Sequence, residues 1–307
     1  MIALGFDTSN YTTSVASFDG ETWNNQSRLL PVRPGALGLR QSDALFHHVN
    51  SLPELTDRLF SDLDPSQIAA VGVSTRPRAV EGSYMPCFLG GICLGRSIAS
   101  LLHVPLVEVS HQQCHLTAAL YSAGAQERMD GPFLAWHLSG GTTELLYVEP
   151  DGSNLSCKRI GGTTDISAGQ LIDRTGQLLG LSFPAGRQLD QLSAQGNKGD
   201  VFRVKCPGTE FSLSGVQNKV QQYHERCGEP AETAAYALRC VCYAVYQATE
   251  HALKEYPGLP VVFSGGVASN SMLRREMNGF DAIFCPPQYA TDNALGTAVL
   301  AWRSLER

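Results

Sequence analysis

The chain has 307 residues, 43% of them apolar and 17% charged, with a formal net charge of −6. That length and apolar content suffice for two ordinary domains with sizeable cores, and the low charged fraction excludes long disordered tails. No Lys/Arg-rich stripe breaks the acidic balance, so a nucleic acid would need a local patch or a partner protein to neutralise its phosphates.

The nine cysteines are scattered and form no CxxC. Cys240 and Cys242 are too close for a metal finger, and the set reads as small hydrophobes in a reducing compartment. The opening run reaches Asp7 too early for a signal peptide, and no apolar stretch is long enough to span a bilayer. A cytoplasmic protein with no membrane association is expected.

In chain order, Ile2 to Phe6 reads as a buried strand and Ser14 to Phe18 as its hairpin partner, with the hydroxyl-rich turn Asp7 to Thr13 between them. Helices are expected over 43–61 and 88–102, then a strand over 106–109. Ser110 is the expected N-cap of a helix over 111–122. Phe133 to Leu138 and Glu144 to Val148 repeat the opening hairpin around a second small, polar turn, Ser139 to Thr143. Further helices are expected over 167–179 and 232–256, a turn at 183–186, a strand at 260–263, and a last helix from Asn293 to about Arg303.

The repeated hairpin implies two similar lobes facing each other across a cleft, although any β-hairpin needs small polar residues at its turn. The lobes are expected over 1–127 and 128–292, with the helix over 293–307 packing back on the first.

Phosphate oxygens need several N–H donors converging on one point, and glycine leaves that backbone unobstructed. Ser139-Gly140-Gly141-Thr142 offers this between two strands, and Ser264-Gly265-Gly266 offers it between a strand and a helix. With the Asp7-Thr8-Ser9 loop they form the three-part arrangement of the actin/sugar-kinase/Hsp70 superfamily, an α/β, actin-like two-lobed fold with a nucleotide cleft. His111 and His115, four residues apart on one helix face, can reach a single cation, or can simply lie on a packed or solvated face. Asp292 is a third ligand or an N-cap, Asp173 a ribose acceptor or a solvated helix residue, and Asn270 a nucleotide contact or a cap.

Seven motifs occur in one order: His111-xxx-His115, Leu138-Ser139-Gly140-Gly141, Ala168-Gly169-xxx-Asp173, Leu179-Gly180-Leu181, Phe211 to Gly215, Gly265 to Asn270, and Thr291-Asp292-Asn293. Over nearly the whole chain this pattern resembles the tRNA threonylcarbamoyladenosine transferase family (TsaD-like, formerly called O-sialoglycoprotein endopeptidases). The resemblance implies one divalent metal, iron or zinc, bound by His111, His115 and Asp292. It implies a site for threonylcarbamoyl-adenylate, or another adenine nucleotide, made by His137, Leu138, Ser139, Gly140, Gly141, Asp173, Gly186 and Asn270. The implied activity is transfer of the threonylcarbamoyl group to the exocyclic amine of an adenosine in tRNA, with heteromeric subunits of the tRNA-modification machinery as partners.

Several charged positions of that family are neutral here: Tyr11 and Thr12 in the first loop, Gln113 between the histidines, Thr142, Gln170 and Gln217, while Cys114 replaces a glycine and Arg76-Pro77-Arg78 replaces a glycine-proline-glycine loop. Proton transfer and electrostatic positioning depend on such neighbours. Two alternatives therefore stand beside the acyltransferase: a non-catalytic nucleotide-binding subunit, and a small-molecule kinase with Asp7 as its base. No side chain is an evident nucleophile, and a peptidase finds no HExxH.

Overall fold

The computed structural model describes residues 1–9, 11–32 and 39–306. Asn10, in the first hydroxyl-rich turn, lies outside the described residues. The chain begins with β1 (Ile2–Asp7), β2 (Thr12–Phe18), β3 (Trp23–Leu29), α1 (Gln41–Phe60), β4 (Ile68–Arg76), α2 (Leu89–Leu102), β5 (Leu106–Ser110) and α3 (His111–Ser122). It continues with β6 (Phe133–Leu138), β7 (Thr143–Asp151), β8 (Asn154–Thr163), α4 (Ala168–Leu178), α5 (Gly186–Ser193), β9 (Glu210–Phe211), α6 (Ser214–Cys227) and α7 (Pro230–Glu255). The last elements are β10 (Val261–Ser264), α8 (Ser271–Glu276), β11 (Ala282–Phe284), α9 (Pro287–Ala290) and α10 (Leu295–Arg303).

Two compact units result. The first comprises Met1–Gly131, Glu149–Cys157 and Thr291–Arg307, and the second Pro132–Val148 and Lys158–Ala290. The division differs from the expected 1–127 and 128–292 in placing Asp292 and the tip of the β7–β8 hairpin with the first unit. Hydrogen bonds account for the difference: Gln113 Nε2 donates to the Leu155 carbonyl at 2.6 Å, and Ala294 N donates to Ser14 Oγ at 2.9 Å.

The first unit is built on a five-stranded sheet in the order β3-β2-β1-β4-β5. β1 runs antiparallel to β2 and parallel to β4, which is parallel to β5. Side chains alternate across β1 and β4 with the period of two that a pleated strand imposes. Leu4, Phe6, Val71 and Val73 pack with Leu52, Leu55 and Leu59 of α1 and Ala99 of α2. On the opposite face stand only small residues: Ala3, Gly5, Ala70 and Gly72. There α10 lies close to the sheet, and a Cβ on Gly5 would fall 2.5 Å from Ala298 N.

The same helix approaches α3 so closely that a Cβ on Gly296 would strike the Cys114 backbone carbonyl. Small residues at the interface thus hold α10 against both the sheet and α3.

In the second unit the order is β11-β10-β6-β7-β8-β9. β6 is antiparallel to β7 and parallel to β10, which is parallel to β11. Read as β8-β7-β6-β10-β11, the strand order repeats that of the first unit, so the duplicated hairpin of the sequence is a duplicated sheet. Its core gathers Leu134, Trp136 and Leu138 with Leu238, Val241 and Val245 of α7, and Trp136 Nε1 donates to Thr249 Oγ1 at 2.9 Å.

Replacing Gly296 by alanine forces backbone apart at the α3–α10 contact. The substitution should destabilise the first unit by about 1–3 kcal/mol, read as a lower thermal midpoint, and an unchanged midpoint would show that the close approach carries no constraint.

Candidate functional site

The first unit assembles three of the expected residues. Ser110 caps α3: its hydroxyl accepts from Gln113 N, and the Gln113 side chain returns to the Ser110 backbone N–H in a capping box. This fixes the first turn of α3, from which His111 and His115 project one turn apart with ring centroids 4.3 Å from each other. The loop before α10 is pinned by Ala294 N, which reaches both Ser14 Oγ and Asn25 Oδ1. Asp292 is thereby held at the histidines and does not cap α10, whose N-cap is Ala294.

His115 Nε2 lies 2.9 Å from His111 Nε2 and 3.3 Å from Asp292 Oδ1, and His111 Nε2 lies 3.4 Å from the same oxygen. The ligand atoms of all three sit within 4.8 Å of one another, a spacing that can hold a metal ion. Cys114 points elsewhere, with Sγ 2.9 Å from Thr297 Oγ1.

A fourth residue joins them that sequence reasoning assigned elsewhere. Asp7, wholly buried at the end of β1, accepts from His111 Nδ1 on Oδ2 at 2.7 Å and from Ser9 N on Oδ1 at 2.7 Å. Burial alone would lower the His111 pKa, but the negative charges of Asp7 and Asp292 overcome it and raise the value to about 10. Desolvation and the neighbouring His111 charge push His115 the other way, below its ordinary value. Desolvation opposes ionisation of Asp7 and Asp292 as well, but the imidazoles outweigh it and lower both carboxylates. The metal-free cluster is therefore a charged imidazolium between two carboxylates, with His115 neutral.

The second unit brings the glycine segments together. Ser139 N donates to the Thr142 carbonyl at 2.8 Å, closing a tight turn, and Ser167 Oγ at the start of α4 donates to the Gly140 carbonyl at 2.6 Å. A Cβ on Gly140 or Gly141 would meet nothing within 4 Å, so this backbone faces open space. Gly265, at φ +87°, packs against the Leu138 carbonyl, a conformation and an approach that a side chain would forbid. His137 is buried, its Nδ1 3.2 Å from Ser264 Oγ, and Leu138 lies in the core. Both lie at the end of β6, where it pairs with β7 and runs beside β10.

Asp173, Gly186 and Asn270 are linked through α5. Asp173 Oδ1 accepts from Ala185 N, next to Gly186 at the first turn, and burial raises the Asp173 pKa. One turn along, Asp190 accepts from Asn270 Nδ2 at 2.8 Å and from Ser271 N and Oγ. Asn270 Oδ1 caps α8 through Leu273 N, so both ends of this amide are engaged. The sequence reading missed Asp190, whose signal is its place four residues after Gly186, on the same helix face.

The model of the TsaD family, described as tRNA N6-adenosine threonylcarbamoyltransferase, matches residues 36–299. The chain belongs to the TsaD family. It is 31% identical over 309 residues to the tRNA N6-adenosine threonylcarbamoyltransferase of Streptococcus gordonii, covering 95% of this chain and 88% of that one. With the same-named protein of Carboxydothermus hydrogenoformans it shares 32% identity over 258 residues, covering 80% and 74%.

Among solved structures it is similar to HypF of T. kodakarensis, with a TM-score of 0.65 at 14% identity, covering 99% of this chain and 47% of that one. The ROK hexokinase of Thermus thermophilus gives 0.51 at 17% identity, covering 99% and 100%. At such identities these likenesses speak for fold alone: this TsaD family member has the actin-like α/β architecture.

Several departures from the family pattern have structural partners. Gln113 completes the α3 cap, and its amide also donates to Leu155, which a glutamate could not do. Gln170 forms the equivalent capping box with Ser167 at α4, and Gln217 Oε1 accepts from Arg174.

His48 of α1 is fully buried, with Nδ1 2.9 Å from Thr13 Oγ1. Burial lowers its pKa to about 4 against the raising fields of Asp7 and Asp292. The folded imidazole resists a proton that the unfolded chain accepts near pH 6.5. The resulting stabilisation is full above pH 6.5 and declines as pH falls towards 4, by up to roughly 3 kcal/mol. His48→Gln should flatten this limb of the urea-unfolding profile, and a variant with the wild-type acid slope would contradict the assignment.

Proposed function

We propose that this chain transfers a threonylcarbamoyl group from threonylcarbamoyl-adenylate to the exocyclic amine of an adenosine in tRNA. The observation that carries the proposal is the meeting of His111, His115 and Asp292 in a chain that the family pattern matches over residues 36–299. Nine free cysteines accord with a reducing cytoplasm. With a net charge of −6, the tRNA would be held through a local patch or by partner subunits.

One divalent ion, iron or zinc, fits the donor set. Tetrahedral zinc with bonds of about 2.0–2.1 Å separates its ligand atoms by roughly 3.3 Å; Asp292 Oδ1 lies 3.3 and 3.4 Å from the two imidazole nitrogens, which are 2.9 Å apart and would move slightly apart around an ion. Bound there, the ion would supply Lewis-acid polarisation of the carbonyl under attack.

The open backbone of Gly140 and Gly141, in the turn that Ser139 N closes on Thr142, would take the donor phosphate through N–H groups. Asp173 would accept from ribose hydroxyls, beside Gly186 and Asn270. The amine nitrogen bonds to the carbamoyl carbon, and the carbon–oxygen bond to the phosphate breaks. AMP leaves with both electrons of that bond, and the amine proton passes to solvent.

Direct transfer accords with the thiol chemistry. Burial raises the Cys114 pKa well above its ordinary value, so this neighbour stays a thiol and no covalent intermediate is called for. The kinase alternative is disfavoured, because its candidate base, Asp7, is wholly buried and turned onto His111 and the Ser9 backbone. A purely scaffolding role leaves the retained ligand triad without a purpose.

His111→Ala and Asp292→Ala should each lower the metal content of the purified protein and slow transfer to a tRNA transcript by on the order of 100-fold or more, a loss of several kcal/mol of transition-state stabilisation. Elemental analysis and product formation from synthetic adenylate check this. Undiminished metal content and rate in either variant would remove the proposed mechanism.

A further inference from the structure

Asp7 is wholly buried and spends both carboxylate oxygens on two donors, the Ser9 backbone N–H and His111 Nδ1. The bond to His111 spans 104 positions of sequence, from the end of β1 to the start of α3, at 2.7 Å. An ionised carboxylate can only accept, so this contact places a proton on Nδ1. On a neutral imidazole that arrangement leaves the lone pair on Nε2, the atom that faces His115 and Asp292.

The geometry points to Asp7 as a positioning residue that sets the tautomer and ring orientation of His111 for metal binding. The inference rests on the proposed metal site and deepens it. Imidazole ligands depend on such partners: a carboxylate on the far nitrogen fixes the ring and raises its basicity, and its loss costs 10–100-fold in affinity. Asp7→Asn replaces one oxygen by a donor of the same size. The amide then has a single acceptor for two donors, Ser9 N and His111 Nδ1. If it serves Ser9, its NH2 group faces the imidazole and favours the tautomer with its proton on Nε2, which blocks the metal-facing nitrogen.

The test measures Zn²⁺ affinity of the full chain by competition with a chromophoric chelator, in wild type, Asp7→Asn, His111→Ala and the double variant. Asp7→Asn should bind Zn²⁺ 10–100-fold more weakly, with an unchanged circular dichroism spectrum. In the His111→Ala background the same change should cost nothing further, because Asp7 acts through that ring.

Equal affinity in wild type and Asp7→Asn would overturn the assignment. An equal loss in both backgrounds would also overturn it, since it would show a simple field effect of the lost charge. Should wild type itself bind no Zn²⁺, the metal site falls and the role of Asp7 falls with it. Nitrogen-15 NMR of the zinc-loaded wild type reads the tautomer without any variant. Protonation at Nδ1 of His111 is expected, and protonation at Nε2 would refute the proposal.

Discussion

The close approach of α10 to α3 is the constraint on which the site depends. Asp292 lies 177 positions from His115, and a side chain must be placed to within ångströms for a third ligand atom to join two imidazoles. The protein achieves this with smallness: Gly5 and Gly72 on one face of the sheet, and Gly296 on the helix, let backbone meet backbone. Ala294 N then fastens the preceding loop to Ser14 and Asn25. The large apolar side chains lie on the other face, against α1 and α2. One side of the sheet supplies burial, and the other supplies position.

Charge completes what packing begins. Two buried carboxylates and two imidazoles would be costly in isolation, and each is tolerated because the others compensate it. His111 bridges Asp7 and Asp292, while His115 stays neutral beside them. Under the proposed function an ion bound there would replace the shared proton of this cluster. The second unit works with backbone: the Ser139 to Thr142 turn, the α4 cap and Gly265 leave Gly140 and Gly141 facing open space. Family membership agrees with both halves without depending on either.

Much of the fold was legible because its signals were local. Short apolar runs marked β1, β2, β6 and β7, and Ser110 announced α3 through a cap a few residues long. Of the missed elements, β4 carries a clear apolar run that the sequence reading passed over, while others carry weaker patterns. β3 is a largely polar strand at the sheet edge, and α6 shows its apolar stripe only at Val216, Val220 and Tyr223. The His111 and His115 pair was visible from its spacing, and Asp292 came from resemblance. The bond from Asp7 to His111 left no trace in sequence, since nothing local requires it. Asn270 shows the opposite limit: the capping role weighed against nucleotide contact is the one its side chain performs, and Asp190 takes its other end.

Residues 291–307 belong to the first unit, yet they are joined to it only after the whole second unit has been synthesised. A nascent chain therefore presents Asp7 and both histidines on the ribosome long before Asp292 exists. The three side chains of the candidate metal site therefore coexist only once translation has passed Asp292, so this site is completed late, after the whole second unit has been made.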